Sequence, residues 1–390
     1  MSIGKQIAAV GILAVAGLVT RFDPGVAAGA GALPAHGRAG VKLPRIRLAE
    51  GVYSPEDLWC WFGAFLPGPR TRIVYAGIAG PAIWPIHSNL PIAHRLAYPR
   101  SWRRRDIGIP AACSTADGKI LAGVVWHGSS PRIGIWNLKS KLPVRRLNVG
   151  SIGQVISMAF SPNGRKLVVG ASLYPSKCRA FVIATHSWRV ENRLSLPAAL
   201  SRKIIHRISG LTFGPGGSVL AVTGRWFCRW QLPSGRLVLA TAVERKDRGR
   251  WRSPLILLHH GRWAVTTDTT TARLRWIDTA TGKVIRRDKI HFPGKPKYWK
   301  RHGIWGIAQL DSGKYIACAA MRDLDDLMRG RVLIVNSRTG DVVAAPRVAM
   351  GCFWGIAATR KGRALATFGF LGVRDWNLPR RFWKAAARKK

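Results

Sequence analysis

Short apolar stretches alternate with polar turns along most of the chain. Residues 275–285, with the sequence RWIDTATGKVI, are representative of the pattern. An apolar segment runs into Asp278, a short turn closes on Gly282, and a second apolar segment begins after Lys283. This order predicts a β-hairpin, because glycine readily adopts the positive φ that such turns need.

The hairpin pattern recurs along the chain. Full copies occupy residues 230–236 and 335–341, and an early copy at residues 83–92 aligns with residues 135–144 at an offset of 52. The apolar segment of several copies carries a tryptophan at the same position: Trp136, Trp230, Trp276 and Trp376. We expect these tryptophans to be buried core residues and not ligand contacts.

A second landmark, a turn followed by an apolar strand, precedes the hairpins, as in residues 160–170 (FSPNGRKLVVG). The glycines of these turns lie 46, 53, 44, 52 and 49 residues apart: Gly118, Gly164, Gly217, Gly261, Gly313 and Gly362. Residues 65–77 supply a seventh copy. A repeat of this length, made of four short strands, is typical of β-propeller blades, because one blade buries both faces only against its neighbours.

The sequence therefore predicts an all-β protein with a single seven-bladed β-propeller of four-stranded blades. We assign residues 41–384 to the propeller, residues 1–40 to a leader and residues 385–390 to a basic tail. Residues 46–49 alternate like a strand but belong to no complete blade, and the last repeat lacks a clear outer strand after Pro379. We expect this N-terminal strand to complete the last blade and close the ring, which removes an exposed sheet edge.

Two of these segments, residues 160–169 and 276–285, resemble the turns of WD-repeat propellers and their bacterial YVTN-type relatives. The resemblance extends over roughly residues 58–380 and implies the propeller fold, which hosts binding proteins and enzymes alike. The Trp-Asp pair of strict WD repeats is mostly replaced by Trp-Asn, Trp-Gln or Ile-Asp. The hairpins also resemble those of quinoprotein dehydrogenases, but they lack the repeating Trp of that family. We therefore expect no quinone and no other cofactor.

The net charge of the chain indicates what kind of partner it binds. The chain has 63 Lys and Arg residues against 18 Asp and Glu residues, a formal net charge of +45, and the excess extends over all repeats. Such a charge predicts an anionic partner. Adaptation to an acidic medium, in which carboxylates are partly protonated, is the alternative explanation.

The connections that lead from one blade into the next emerge on one face of a propeller, and basic residues concentrate in them. We call the following candidates for anionic-partner binding the basic rim: Arg103, Arg104, Arg105, Arg202, Lys203, Arg207, Arg248, Arg250, Lys295, Lys297, Lys300 and Arg301. Aromatic residues such as Trp102, Trp251 and Trp299 are interleaved with them. Arginine binds phosphate, sulfate or carboxylate through paired hydrogen bonds, and Trp offers a stacking face. The alternative is a set of solvated loops in an Arg-rich protein.

The N-terminus has the features of an export signal. Lys5 precedes an apolar run at residues 7–20, and a string of small residues follows at 26–32. This is the order of a secretory signal peptide, and the run is shorter than the roughly 20 residues of a membrane span. A cleaved signal or an uncleaved anchor both predict an extracytoplasmic propeller, whether periplasmic, secreted or membrane-anchored.

Cysteines, an acidic group and a histidine pair are further candidate site residues. The chain has six cysteines, which either form disulfides in an oxidising compartment or remain buried thiols: Cys60, Cys113, Cys178, Cys228, Cys318 and Cys352. The acidic group Asp323, Asp325 and Asp326 suits either calcium or a helical turn with charge pairing. We expect no metal site there. His259 and His260 are neighbours whose side chains would point in opposite directions on a strand, so we expect no shared metal.

The chain contains no common hydrolase, zinc-protease, nucleotide-binding or haem-attachment motif. We therefore expect an exported, monomeric binding or scaffold protein whose basic rim takes an acidic protein, an anionic glycan or a membrane surface. The alternative is a propeller-type hydrolase, such as a lactonase, with carboxylate and His side chains converging at the channel mouth. Nucleic-acid binding is a third hypothesis, favoured by the charge and opposed by the export signal.

Overall fold

The computed structural model describes residues 60–67, 72–77, 80–85, 94–97, 111–127, 130–148, 154–173, 177–196, 208–244, 254–268, 271–290, 303–321, 330–345, 353–359, 364–369 and 372–377. Within these ranges the chain forms antiparallel sheets joined by tight turns, three of which are short 3-10 turns. The described residues belong to one compact unit, His36–Lys390. The all-β prediction is confirmed.

The strands follow one another in chain order within each sheet. The first three sheets contain β1 (Cys60–Leu66), β2 (Arg72–Gly77), β3 (Gly80–Pro85), β4 (His94–Arg95); β5 (Ala112–Ser114), β6 (Ile120–His127), β7 (Ser130–Asn137), β8 (Leu142–Leu147); β9 (Gln154–Phe160), β10 (Lys166–Leu173), β11 (Lys177–Ala184) and β12 (Arg189–Ser195).

The remaining sheets repeat this order. They contain β13 (Ile208–Phe213), β14 (Val219–Thr223), β15 (Trp226–Gln231), β16 (Arg236–Ala242); β17 (Leu255–Leu258), β18 (Trp263–Asp268), β19 (Thr271–Asp278), β20 (Val284–Lys289); β21 (Gly303–Leu310), β22 (Tyr315–Met321), β23 (Gly330–Asn336), β24 (Val342–Ala344); β25 (Phe353–Ala358), β26 (Ala364–Gly369) and β27 (Gly372–Asn377).

The first strands of successive sheets contact one another, from β1 and β5 through to β21 and β25, and β25 also contacts β1. The first strand of each sheet is therefore innermost and the fourth is outermost, which is the arrangement of a β-propeller. Among the described residues, six sheets have four strands and a further sheet, β25–β27, has three. This differs from the seven four-stranded blades predicted. Residues 46–49, which were expected to supply the missing strand, lie outside the described residues.

The core lies between the blades. Each buried cluster draws its residues from two neighbouring sheets, and one of them joins the first sheet to the last through Tyr75, Trp84 and Phe368. Trp136, Trp230 and Trp276 are buried, as their repeat position predicts. The side chain of Trp376 lies outside the described residues.

The turns at one edge of the blades are held by a repeated hydrogen bond. The hydroxyl groups of Thr185, Thr279 and Ser337 donate to the carbonyl oxygens of the glycines in the turn between the first two strands, at 2.8, 2.7 and 2.5 Å: Gly164, Gly261 and Gly313. These bonds tie both turns of a blade to the same edge. We call that edge of the propeller the turn face.

The described cysteine side chains are buried. Cys60, Cys113, Cys228 and Cys318 all lie in the core. Cys113 and Cys318 are free thiols, and burial raises the pKa of each above its usual value. Because the thiolate is the reactive form, these two residues act as small hydrophobes and not as nucleophiles.

Candidate anionic-partner interface and central channel

The basic rim lies in the connections between the fourth strand of one blade and the first strand of the next. Both ends of such a connection, for example Lys289 at the end of β20 and Gly303 at the start of β21, lie at the edge opposite the turn face, because the strands run up and down in order. All twelve rim residues lie outside the described residues: Arg103, Arg104, Arg105, Arg202, Lys203, Arg207, Arg248, Arg250, Lys295, Lys297, Lys300 and Arg301. The acidic group at residues 323–326 also lies outside the described residues.

The first strands, which surround the propeller axis, have an uncharged composition. The described residues of β1, β5, β9, β13, β17, β21 and β25 include no Asp, Glu, Lys, Arg or His. Their polar side chains are hydroxyls and the two amides of Gln154 and Gln309. Ser157 and Ser209 donate to the backbone oxygens of Ile208 and Val222 at 3.0 and 3.2 Å, so these hydroxyls serve structure.

Gly306 shows how tightly these inner strands pack. A methyl group added to Gly306 on β21 would come within 2.9 Å of the backbone of Gly355 and Ile356 on β25. Neighbouring backbones therefore approach closely near the axis, and glycine is required for that approach. The small and apolar residues of the inner strands suit this close packing.

The most deeply buried charged residue described is Arg275 on β19, which is 5% exposed. It forms an ion pair with Glu244, which follows β16 in the preceding blade. Burial, and then the nearby charge of Arg287, lower the pKa of Arg275 to about 10. Since β19 is a third strand, away from the axis, we interpret the pair as a link between blades.

His259 and His260 do not lie on a strand. The prediction that their side chains point in opposite directions depended on a strand at these two residues. They form part of a short 3-10 turn after β17, and both have positive φ values, 49° and 56°. Both histidines are exposed. The ring of His259 packs edge-on against the indole ring of Trp263, with 4.4 Å between the ring centroids. The described part of the chain contains no group of three or more His, Cys, Asp or Glu residues that could hold a metal ion.

The outer strands share an irregularity that the hydrophobic pattern of the sequence does not predict. In five blades the pairing between the third and fourth strands slips at the same place, leaving one extra residue on the fourth strand: Val144, Glu191, Val238, Ile285 and Val343. Such β-bulges bend an edge strand and redirect a side chain. Val144, Val238 and Ile285 are consequently 56, 37 and 49% exposed. In four of these five blades the bulge residue is aliphatic. In all five it lies three positions after the turn residue with positive φ, which is a glycine in three blades and Lys141 or Trp188 in the others.

No known protein family and no curated protein sequence matches this chain. The similarity to WD-repeat and YVTN-type turns therefore rests on the residues of the chain itself. Among the described residues, no helix is long and apolar enough to cross a membrane.

Proposed function

We propose that this chain is a binding or scaffold propeller whose basic rim takes an anionic partner. The observation that carries the proposal is the uncharged composition of the inner strands. General acid and base catalysis needs titratable side chains at the reacting atoms. The described inner strands offer hydroxyls and amides, and the hydroxyls of Ser157 and Ser209 are already bonded to backbone oxygens.

The same observation counts against the lactonase-like alternative. That hypothesis needs carboxylate and His side chains converging at the channel mouth, and the described residues of the inner strands contain neither. The described Asp117 and Asp278 lie in turns, where neighbouring hydroxyl and backbone N–H groups bind their carboxylates. Their role in the turns accounts for both carboxylates without catalysis.

The proposed partner is an acidic protein, an anionic glycan or a membrane surface. Arginine-rich connections interleaved with Trp suit sulfate, phosphate and uronate groups, because guanidinium groups bind oxyanions in pairs of hydrogen bonds. The net charge of +45 supports long-range attraction of any such partner. Nucleic acid remains a weaker proposal, because the N-terminal sequence favours export.

We further propose a complete seventh blade, with residues 46–49 pairing with β27 as in WD-repeat propellers. This proposal is supported by the packing of the first sheet on the last, where the ring of Phe368 occupies the space beside Gly63. A chain that begins at residue 51 should unfold at a lower temperature than one that begins at residue 41. Equal unfolding temperatures would contradict closure by this strand.

The export proposal has its own test. The mature protein should be recovered from the envelope or the medium of its native cells as a monomer, with its first 30 or so residues removed if the signal is cleaved. A full-length chain in the cytosol would overturn the localisation and favour nucleic acid as the partner.

Binding itself is tested with purified protein and a panel of anionic and neutral ligands. The panel contains a sulfated glycan, a uronate polymer, an acidic protein and anionic vesicles, each beside a neutral counterpart, at low and high salt. We expect charge-dependent binding to at least one class, weakened by salt. Absence of charge-dependent binding to every anionic ligand would refute the proposed function.

A further inference from the structure

The outer hairpin of the second blade presents a surface that combines cations and aliphatic side chains. We call this surface the outer patch and define it by six exposed residues: Lys139, Lys141, Leu142, Val144, Arg145 and Arg146. Leu142 and Val144 are 55 and 56% exposed, the two highest values among the large hydrophobic residues described as exposed. A soluble propeller gains nothing in stability from two aliphatic side chains held in water.

The backbone holds this hairpin in a defined shape. The side-chain oxygen of Asn137 accepts hydrogen bonds from the N–H groups of Lys139 and Ser140, at 2.9 and 3.1 Å. Lys141 has a positive φ of 59°, and the β-bulge at Val144 follows three residues later. The turn and the bulge therefore fix which side chains face the solvent.

The cations of the outer patch are available to a partner. Residues 138–148 contain no carboxylate, and none of the four cations forms an ion pair with a carboxylate in the described part of the chain. Asp117, in the other turn of the same blade, pairs with Lys119 instead. Arg145 donates one hydrogen bond to the backbone oxygen of Ser187, at 3.3 Å, and remains exposed.

We propose that the outer patch docks on an anionic lipid surface. Lys and Arg side chains bind the phosphates of lipid headgroups, while exposed aliphatic side chains enter the boundary between headgroups and acyl chains. A polyanionic glycan would use the four cations but would leave Leu142 and Val144 in water. The combination of both kinds of side chain favours lipid, and the inference depends neither on the basic rim nor on export.

The fifth blade provides an internal comparison. Its outer strand β20 also exposes a bulge residue, Ile285, near Lys283 and Lys289. In that strand, however, Asp288 supplies a negative charge, and Arg286 is engaged with it at 2.8 Å. The fifth blade therefore has the same backbone feature without the doubled aliphatic pair or the unbroken positive charge.

The test measures partition of the full-length protein onto vesicles of phosphatidylcholine with phosphatidylglycerol, and onto vesicles of phosphatidylcholine alone. The aliphatic variant is Leu142→Ser with Val144→Ser, and its matched control is Val238→Ser with Ile285→Ser. The charge variant is Lys139→Glu with Lys141→Glu, and its control is Lys283→Glu with Lys289→Glu. Each control changes exposed residues of other outer hairpins by the same chemistry and the same charge, and unfolding temperatures establish that all variants fold.

We expect the wild type to prefer anionic vesicles. The aliphatic variant should lose about tenfold in partition, and the charge variant at least as much, while each control changes by about twofold or less. At high salt the wild type should keep part of its vesicle binding, because salt screens the cations and not the aliphatic contacts. The aliphatic variant, which lacks those contacts, should lose its binding. Equal losses in patch and control variants would show diffuse attraction by net charge and overturn the proposal, as would failure of the wild type to prefer anionic vesicles.

A rim variant separates this inference from the proposed function. This variant carries four substitutions together: Lys295→Ser, Lys297→Ser, Lys300→Ser and Arg301→Ser. It should keep the share of vesicle binding that depends on Leu142 and Val144. If the rim variant loses that share as well, the outer patch is not an independent lipid-binding surface.

Discussion

Arg286 lies over the indole ring of Trp276, with its guanidinium carbon 3.9 Å from the ring centroid. The indole N–H of Trp276 donates to Asp288 at 2.7 Å, and Asp288 also pairs with Arg286 at 2.8 Å. The same guanidinium donates to the backbone oxygens of Ser337 and Arg338 in the next blade, at 2.6 and 2.7 Å. One arginine therefore joins a buried Trp of the fifth blade to a turn of the sixth.

Arg286→Ala should destabilise the propeller by about 2 kcal/mol, because it removes the stacking contact and two charge-assisted hydrogen bonds at once. Arg286→Lys should recover less than half of this loss, since an ammonium group cannot replace the planar fork. Urea unfolding measures the effect. The control is Arg287→Ala, an exposed neighbour on the same strand, which should change stability by about 0.5 kcal/mol or less. Equal effects of Arg286→Ala and Arg287→Ala would contradict the bridging role.

The ion pair between Glu244 and Arg275 should behave as a buried pair. Glu244→Gln removes the negative charge that pairs with the buried Arg275, and we expect a loss of about 3 kcal/mol in the free energy of unfolding. Adding Arg275→Met to Glu244→Gln removes the buried charge, so the double variant should be more stable than Glu244→Gln alone. If the double variant is the less stable of the two, the charge of Arg275 is not the cause of the loss.

Asp278 links stability to pH. Hydrogen bonds from the backbone N–H and hydroxyl of Thr281, and from the N–H of Ala280, lower the pKa of this carboxyl group. The unfolded chain, with a pKa of about 3.9, binds more protons than the folded chain between the two values. The stabilisation is therefore fully present above the unfolded pKa and is lost as the pH falls through the folded pKa.

Asp278→Asn tests this link, because Asn137 and Asn336 make the same turn bonds in other blades. The variant should match the wild type at pH 7 to within about 0.5 kcal/mol and lose less stability on acidification. Asp278→Ala should lose about 1 kcal/mol at pH 7, because the turn bonds are absent. Urea midpoints at neutral and acidic pH measure both effects. An unchanged acid sensitivity in Asp278→Asn would contradict the assignment.

The contact between the first and last sheets can be tested through Gly63 and Phe368. A methyl group added at Gly63 would overlap the ring of Phe368, so Gly63→Ala should destabilise the protein by about 2 kcal/mol. Phe368→Leu should relieve the overlap, and the double variant should be more stable than the sum of the single effects predicts. A double-mutant cycle of thermal unfolding measures this coupling, and additive effects would contradict direct packing between the two sheets.

The repeat pattern predicted most of the fold because the turns of each blade need particular residues, namely a glycine with positive φ and a hydroxyl that binds the backbone. Gly118 and Gly164 have φ values of 67° and 70°, as their turns demand, and Thr115 and Ser161 bind the backbone that follows. Such local signals can be read from a single sequence. The buried Trp of the third strand was predictable for the same reason.

The remaining features depend on contacts between blades, which a repeat pattern does not encode. The position of Glu244 beside Arg275 joins residues of two different repeats, and the bridge from Arg286 to Ser337 does the same. The bulge at Val144 arises from a slip in pairing, which hydrophobic alternation alone does not reveal. The glycine spacing predicted a turn at Gly261, but it did not indicate that His259 and His260 are part of that turn with positive φ values.

The most direct measurement of the proposed function is the dissociation constant for the anionic ligand that binds best, measured for two variants of equal charge. The rim variant carries Lys295→Ser, Lys297→Ser, Lys300→Ser and Arg301→Ser, and the turn-face variant carries Lys119→Ser, Arg165→Ser, Lys283→Ser and Lys314→Ser. We predict a loss of at least tenfold for the rim variant and about threefold or less for the turn-face variant, because close contacts are screened less than distant charges. Equal losses in the two variants would contradict a binding site at the basic rim.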